Sequence, residues 1–340
     1  MTVTIKDIAR EVGVSITTVS RALTGYSDVA EETRRRILET AVALGYSPNV
    51  TAQRLQKRRT DTIGFITPTH KPRFSDPFFS EFMAGIGNEA ASQNYDLLVS
   101  THAPDSEEEQ KVYRRTVKGG WVDGLIVVRT RKNDTRIQLL SERNFPFVAF
   151  GRTQDDLDFP YVDEDSEAGM RLSVQHFIDL GHRRIGLISP PPGLNFGVHR
   201  LQSYFDTMGD NGLSVQSEWI VTGDMSQVSG FNVVESLLAL DSRPTAIIGG
   251  NDLMAIGAIK RIQQSGLQVG KDIAVCGFDD IPLAAFVNPP LTTIHQPIYD
   301  IGKQTTALLI DIINNRRLAN VNILLAPTLV VRESSGKPIG

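Results

Sequence analysis

One cysteine in 340 residues, Cys276, is the scarcest feature of the chain, and its rarity removes several possibilities. No intrachain disulfide can form, which fits a reducing cytoplasm, and no cysteine cluster can hold a metal. Cys276 lies in the apolar run Ile273-Ala-Val-Cys-Gly277 and reads as core. The six histidines, at 70, 102, 176, 182, 199 and 295, show no paired metal spacing. No apolar run approaches a membrane span, and the opening Met1-Thr-Val-Thr-Ile-Lys6 lacks a signal peptide's apolar core. A cytoplasmic protein with no membrane partner is expected. Hydrophobic residues at 41% with 22% charged are ordinary for a globular chain, and the length calls for two or three domains.

Catalytic and cofactor motifs are also missing. Gly85-Ile-Gly87-Asn-Glu-Ala90 nearly matches a dinucleotide fingerprint. Such a loop must join a strand to a helix so that backbone can approach pyrophosphate, and here it falls inside a predicted helix. Ser189-Pro190 is not a nucleophile elbow, and no carboxylate pair is placed by any pattern. No enzyme, no cofactor and no metal are expected.

What is present concentrates in residues 4–60. Thr4-Ile-Lys-Asp7 has the capping-box form, and Ile5, Ile8, Ala9 and Val12 follow on one helical face. Gly13 breaks that helix, and Ser15 can cap a second over Ile16–Leu23, with Val19, Ala22 and Leu23 inward. Small Ala9, Gly13 and apolar Val19 suit the tight corner of a helix-turn-helix. Outward-facing Thr17, Thr18, Ser20 and Arg21 can hydrogen-bond base edges or phosphates. Residues 1–60 carry 10 Lys/Arg against 6 Asp/Glu, a net of +4, whereas the remaining 280 residues carry 25 against 33, a net of −8. A basic cap on an acidic body suits a polyanion-binding head. Alone, Arg34-Arg35-Arg36 and Lys57-Arg58-Arg59 would read as solvated faces.

With Glu31-Glu-Thr-Arg34, Leu44-Gly-Tyr46 and Ser47-Pro48-Asn49 added, the headpiece resembles that of the lactose-repressor/galactose-repressor family. The likeness runs on through Gly181-His182-Arg183, Gly250-Asn251-Asp252, Gly277-Phe278-Asp279-Asp280 and Leu291-Thr-Thr-Ile-His-Gln-Pro297, to about residue 333. It implies an all-α helix-turn-helix headpiece followed by a periplasmic-binding-protein-like α/β body with two parallel-sheet subdomains. The implied DNA-binding residues are Thr4, Ser15, Ile16, Thr17, Thr18, Ser20 and Arg21, with Asn49, Ala52 and Leu55 in the following segment. The resemblance makes Ile16, Thr17 and Arg21 the base readers and Leu55 an apolar wedge in the operator's central step.

The expected domains are a headpiece over 1–46, a hinge helix and linker over 47–60, and a body over 61–340. A third headpiece helix should run about Glu31–Leu44 with Ile37, Ala41 and Leu44 buried, opened weakly by Ala30. A short helix should follow over Asn49–Gln56, too short to stand without a partner. From residue 61 strands read at about 62–67, 95–99, 122–128, 146–150, 184–189, 218–222, 245–249 and 272–276. Helices read at about 78–93, 105–118, 133–143, 166–180, 198–211, 228–239, 252–265 and 298–314. That alternation implies parallel sheets with right-handed crossovers. The expected subdomains are 61–160 with 291–320, and 161–290 with 321–335. The resemblance supplies the two later crossings.

Ligands in such bodies lie at the carboxyl ends of strands. The loops there carry Asp76, Phe78, Phe79, Arg152, Phe196, Arg200, Asn251 and Asp279, a sugar-like set of aromatic faces, donors and acceptors. Core packing is the alternative for both phenylalanines. By resemblance Arg200 and Asp279 grip the effector, Asn251 adds a polar contact, and Gly151 replaces an acid found in many relatives, with Arg152 as substitute. Arg152 and Pro190-Pro-Pro-Gly193 resemble relatives that respond to glucosides. The expected protein is a homodimeric repressor of a near-palindromic double-stranded operator, released by a small sugar. No leucine heptad precedes Gly340, so no tetramer is expected. A secreted solute-binding protein is opposed by the headpiece and the missing signal peptide, and a nucleotide-dependent enzyme by the empty motif search.

Overall fold

Short capped helices dominate the first 60 residues and an α/β alternation the rest, so the chain divides after Thr60 into a headpiece and a body. The computed structural model describes residues 3–46, 59–68, 76–104, 106–153 and 158–338. The helix expected over 49–56, with Asn49, Ala52 and Leu55, lies outside these residues.

In the headpiece, α1 (Ile5–Val12), α2 (Ile16–Leu23) and α3 (Glu31–Ala43) enclose Ile8, Ala9, Val12, Val19, Ala22, Val29, Ile37 and Ala41. The Asp7 carboxylate accepts from the Thr4 amide at 3.0 Å and its hydroxyl at 2.7 Å, fixing the first helix start. Gly13 ends that helix at φ 75°, a left-handed value that favours glycine. Leu44, expected on the buried face, is instead the residue that ends α3, and its side chain is exposed. The arginine run is not simply a solvated face. Arg34 donates to the Tyr26 carbonyl and Arg36 to the Val12 carbonyl at 3.2 Å, while Arg35 pairs with Glu32 at the surface.

The body holds two six-stranded sheets. The first, in the order β11 (Asn322–Leu325), β5 (Tyr161–Glu164), β4 (Phe147–Phe150), β3 (Gly124–Val128), β1 (Thr62–Pro68), β2 (Asp96–His102), is parallel throughout. The second runs β12 (Thr328–Val330), β10 (Thr292–His295), β9 (Ala274–Asp279), β8 (Ala246–Gly249), β6 (Ile185–Ser189), β7 (Ile220–Thr222), and only its β12–β10 pair is antiparallel. Buried runs such as Gly124–Val128 explain why central strands read as continuous apolar segments.

The chain passes between lobes after Glu164, after His295 and after Leu325, near the expected 160, 290 and 320 but each time about five residues later. The cause is four short strands that the periodicity did not reveal. Tyr161–Glu164 carries two acids, yet pairs with β4 on one side and β11 on the other. Thr292–His295 is four residues long and takes its place beside β9. The Gly85 fingerprint falls within helix Pro77–Ser92, as expected. Its role is packing: a side chain at Gly85 would strike the Tyr299 carbonyl of helix Ile298–Ile313, and one at Gly302 would strike the Phe82 carbonyl. Among the described residues, no helix is long and apolar enough to cross a membrane, and no cluster of three or more metal-ligating side chains occurs.

Candidate functional site

Two surfaces carry the expected chemistry, one on each unit. On the headpiece, Ser15 caps α2 by accepting from the Thr18 amide at 3.0 Å, and its hydroxyl lies 2.8 Å from that of Thr18. Ile16, Thr17 and Arg21 are exposed on α2, while Thr18 and Ser20 are half-buried. The Ser20 carbonyl accepts from the Thr24 hydroxyl at 2.7 Å. Arg21 pairs with Asp28 at 2.5 Å and lies 5.2 Å from the centre of the Tyr26 ring, so its guanidinium is held by two neighbours within the headpiece. Thr4 is exposed but engaged with Asp7. The face offers a planar fork, a hydroxyl and an apolar side chain together, the chemistry of major-groove readout.

In the body, a cleft opens between the two lobes at the carboxyl ends of the strands. The first lobe contributes Asp76, Phe78, Arg129, Thr130, Phe150, Gly151, Arg152, Asp163 and Glu164. The second contributes Phe196, Arg200, Met225, Asp279 and Gln296. Phe78 and Phe150 are stacked, with ring centres 5.7 Å apart and planes 13° from parallel, making one aromatic wall. Across the cleft Arg200 lies 4.8 Å from the Phe196 ring centre and 3.4 Å from that of Phe278. The lobes touch where the Asn195 amide donates to the Thr130 carbonyl at 3.0 Å.

Charges in the cleft are paired or suppressed. Asp76 caps helix Pro77–Ser92 and meets Arg129 at 3.0 Å. Burial raises the Asp76 carboxyl against the pull of that arginine. Arg200 donates to Glu164 at 2.9 Å, to the Ser166 hydroxyl at 3.3 Å and to the Gly250 carbonyl at 2.7 Å. Burial, then the neighbouring charge of Glu164, pushes Asp163 up to about 8. Burial likewise holds Asp279 well above the usual carboxylate range, although Arg200 opposes it. Asp279 Oδ1 accepts from the Gln296 amide at 2.6 Å. Gly151 sits at φ 107°, and a Cβ there would come within 2.8 Å of the Thr130 hydroxyl. An acid at that position would be both strained and crowded. Arg152 follows, with its amide 3.2 Å and its guanidinium 3.4 Å from Asp163.

Of the residues expected here, Asp76, Phe78, Arg152, Phe196, Arg200 and Asp279 line the cleft, whereas Phe79 and Asn251 do not. Phe79 is buried in the first lobe's core beside Phe65, the fate of an apolar side chain one position along a helix from the exposed face. Asn251 is fully buried and caps helix Asp252–Gln264, accepting from the Met254 amide at 2.9 Å and donating to the Met225 carbonyl at 3.1 Å. The sequence reading missed Arg129, Thr130, Phe150, Asp163, Glu164, Met225 and Gln296. The expected strands ending at 128 and 150 already placed Arg129 and Phe150 at carboxyl ends. Asp163 and Glu164 gave no such signal, because their strand went unread.

A model of bacterial regulatory proteins of the lacI family matches residues 4–49, and one of a periplasmic binding protein-like domain matches residues 174–335. The HTH-type transcriptional regulator AglR of Rhizobium meliloti (strain 1021) is 34% identical over 340 residues, covering 99% of this chain and 95% of that protein. The ribose operon repressor of Haemophilus influenzae is 34% identical over 334 residues, covering 97% and 98% respectively. Among solved structures, the lac repressor dimer bound to operator and the anti-inducer ONPF is similar with a TM-score of 0.88 at 29% identity, over 99% of this chain and 100% of the other. The transcriptional regulator CelR in complex with cellobiose is similar with a TM-score of 0.76 at 30% identity, over 98% and 99%. Relatives matched from end to end, with a helix-turn-helix headpiece ahead of a two-lobed cleft, show that the chain belongs to the lacI family of bacterial regulatory proteins, which control transcription by binding DNA.

Proposed function

We propose that this regulator is a repressor whose operator affinity is set by a small sugar held in the cleft between the lobes. The observation that carries the sugar is the wall composition. Phe78 and Phe150 offer a flat apolar platform, and carboxyl, amide and guanidinium groups of Asp279, Gln296, Arg152 and Arg200 surround the same space. Sugar rings have apolar faces and polar rims, so such a cleft matches both. The cellobiose complex of CelR, a regulator similar to this chain from end to end, supports a two-ring glycoside as the size class.

On the DNA side, α2 is eight residues long and can span only a few base pairs. Useful specificity then needs two headpieces on a near-palindromic duplex, a homodimer, as in the operator-bound lac repressor dimer. Arg21 would grip a guanine, worth about 1–3 kcal/mol of discrimination, and Ile16 would meet a thymine methyl. Thr4, Ser15, Thr17, Thr18 and Ser20 would add backbone or base contacts. Such a regulator works in the compartment that holds the chromosome, the cytoplasm of a bacterium.

A thermal-shift screen against a sugar panel that includes cellobiose tests the cleft. At 100 times its dissociation constant a sugar should stabilise the native state by about 2.7 kcal/mol. Phe78→Ala should abolish most of that shift, because one ring of the stacked wall is gone. A panel with no stabilising sugar, or a full shift retained by the Phe78→Ala protein, would overturn the assignment.

A further inference from the structure

We propose that Glu164 is the positioning residue for Arg200, holding from the first lobe the guanidinium that meets the ligand from the second. This rests on the sugar-cleft reading above. Glu164 is the last residue of β5, immediately before the chain crosses between lobes, and its backbone is fixed by parallel pairing with Leu325 of β11. The Asp165 amide after it donates to the Leu325 carbonyl at 2.9 Å, so the strand end cannot shift independently. The Glu164 side chain is almost wholly buried, and its Oε1 accepts both from Arg200 at 2.9 Å and from the Ser166 hydroxyl. Its Oε2 is buried without a hydrogen bond. The carboxylate is therefore held chiefly by the arginine and owes no bond to backbone amides.

Arg200 is equally committed. Three of its five N–H donors go to Glu164, Ser166 and the Gly250 carbonyl, and its planar face rests on Phe278, so two donors remain for a ligand. Ser166 and Gly250 are neutral, so Glu164 is the counter-charge within hydrogen-bond reach. A buried guanidinium deprived of it would be heavily disfavoured and would turn toward Asp279, the other acid that feels its charge. Because β5 belongs to one lobe and helix Asn195–Asp210 to the other, the pair also makes the arginine's position depend on how the lobes meet.

Glu164→Gln keeps the shape and an acceptor but removes the charge; Glu164→Asp keeps the charge one methylene further away. Calorimetry with cellobiose, and with whichever panel sugar most stabilises the wild-type protein, should show the Gln variant binding about tenfold or more weakly, since the ion pair that aims the guanidinium is replaced by a hydrogen bond to a neutral acceptor. The Asp variant should recover part of that loss. In an Arg200→Met background, Glu164→Gln should weaken binding no further, which a merely structural role would not produce. Wild-type affinity in the Gln variant, or independent effects of the two substitutions, would overturn the proposal. If no sugar binds the wild type, the sugar reading falls by itself. The pair is then decided by melting temperatures of the two single variants and the double: strongly non-additive losses support it, and additive losses overturn it.

Discussion

Asp163, Asp252 and Asp279 share an environment that favours the neutral carboxyl, and burial is the largest cause for each. Asp163 titrates at about 8 in the folded chain against an ordinary 3.8. The folded state therefore keeps a proton that the unfolded state releases. The stability this contributes is complete below about pH 4 and is lost as pH rises toward 8. Asp252, raised to about 7, adds to the same slope within the second lobe. The melting temperature should fall between about pH 5 and pH 8, and Asp163→Asn should make that fall shallower without removing it. Identical slopes in the two proteins would show that Asp163 is ionised in the native state. At this scale the sequence was informative about residue type but not about state. Asp279 and Arg200 could be picked out as charges at strand ends, whereas the burial that raises the Asp279 carboxyl is displayed by no linear pattern.

Between helices, the packing of Pro77–Ser92 on Ile298–Ile313 turns on two glycines facing each other's backbone. Gly85→Ala tests which of two effects wins. Helix propensity alone favours alanine by about 1 kcal/mol. The added methyl, however, meets the Tyr299 carbonyl and comes within 3.0 Å of the Lys303 amide, and backbone in a packed helix cannot yield as a side-chain tip can. Overpacking should dominate, costing about 1–3 kcal/mol in denaturant unfolding. A gain of stability would mean that the helices sit further apart. The long elements of the body were readable because their apolar periods are strong: each expected helix in residues 76–313 has an observed counterpart within a few residues. The unread strands, Tyr161–Glu164, Thr292–His295, Asn322–Leu325 and Thr328–Val330, are three or four residues long. They form because a neighbour is already in place, and pairing of that kind leaves no local signature. Glu164 was lost with its strand.

For the whole molecule, the division of charge between residues 1–60, net +4, and the remainder, net −8, separates two tasks. The basic part is drawn to phosphate, and the acidic part is kept off it. Headpiece and body were legible in the sequence because each has its own composition and period. The cleft was legible only in outline, since its walls come from strand ends far apart in the chain, and the caps Asn251 and Asp76 look alike until one is found buried and the other lining the opening. A ligand between lobes can alter DNA binding only through its differential affinity for the arrangements the body adopts, typically about 1–3 kcal/mol. The decisive measurement is the affinity of the full chain for an operator selected from randomised duplexes. It should be read by fluorescence anisotropy at fixed salt, with and without the sugar that most stabilises the protein. Operator affinity should fall by roughly 5- to 150-fold as the sugar saturates. Unchanged affinity at saturating sugar would contradict the coupling of cleft to headpiece, and tighter binding would contradict release.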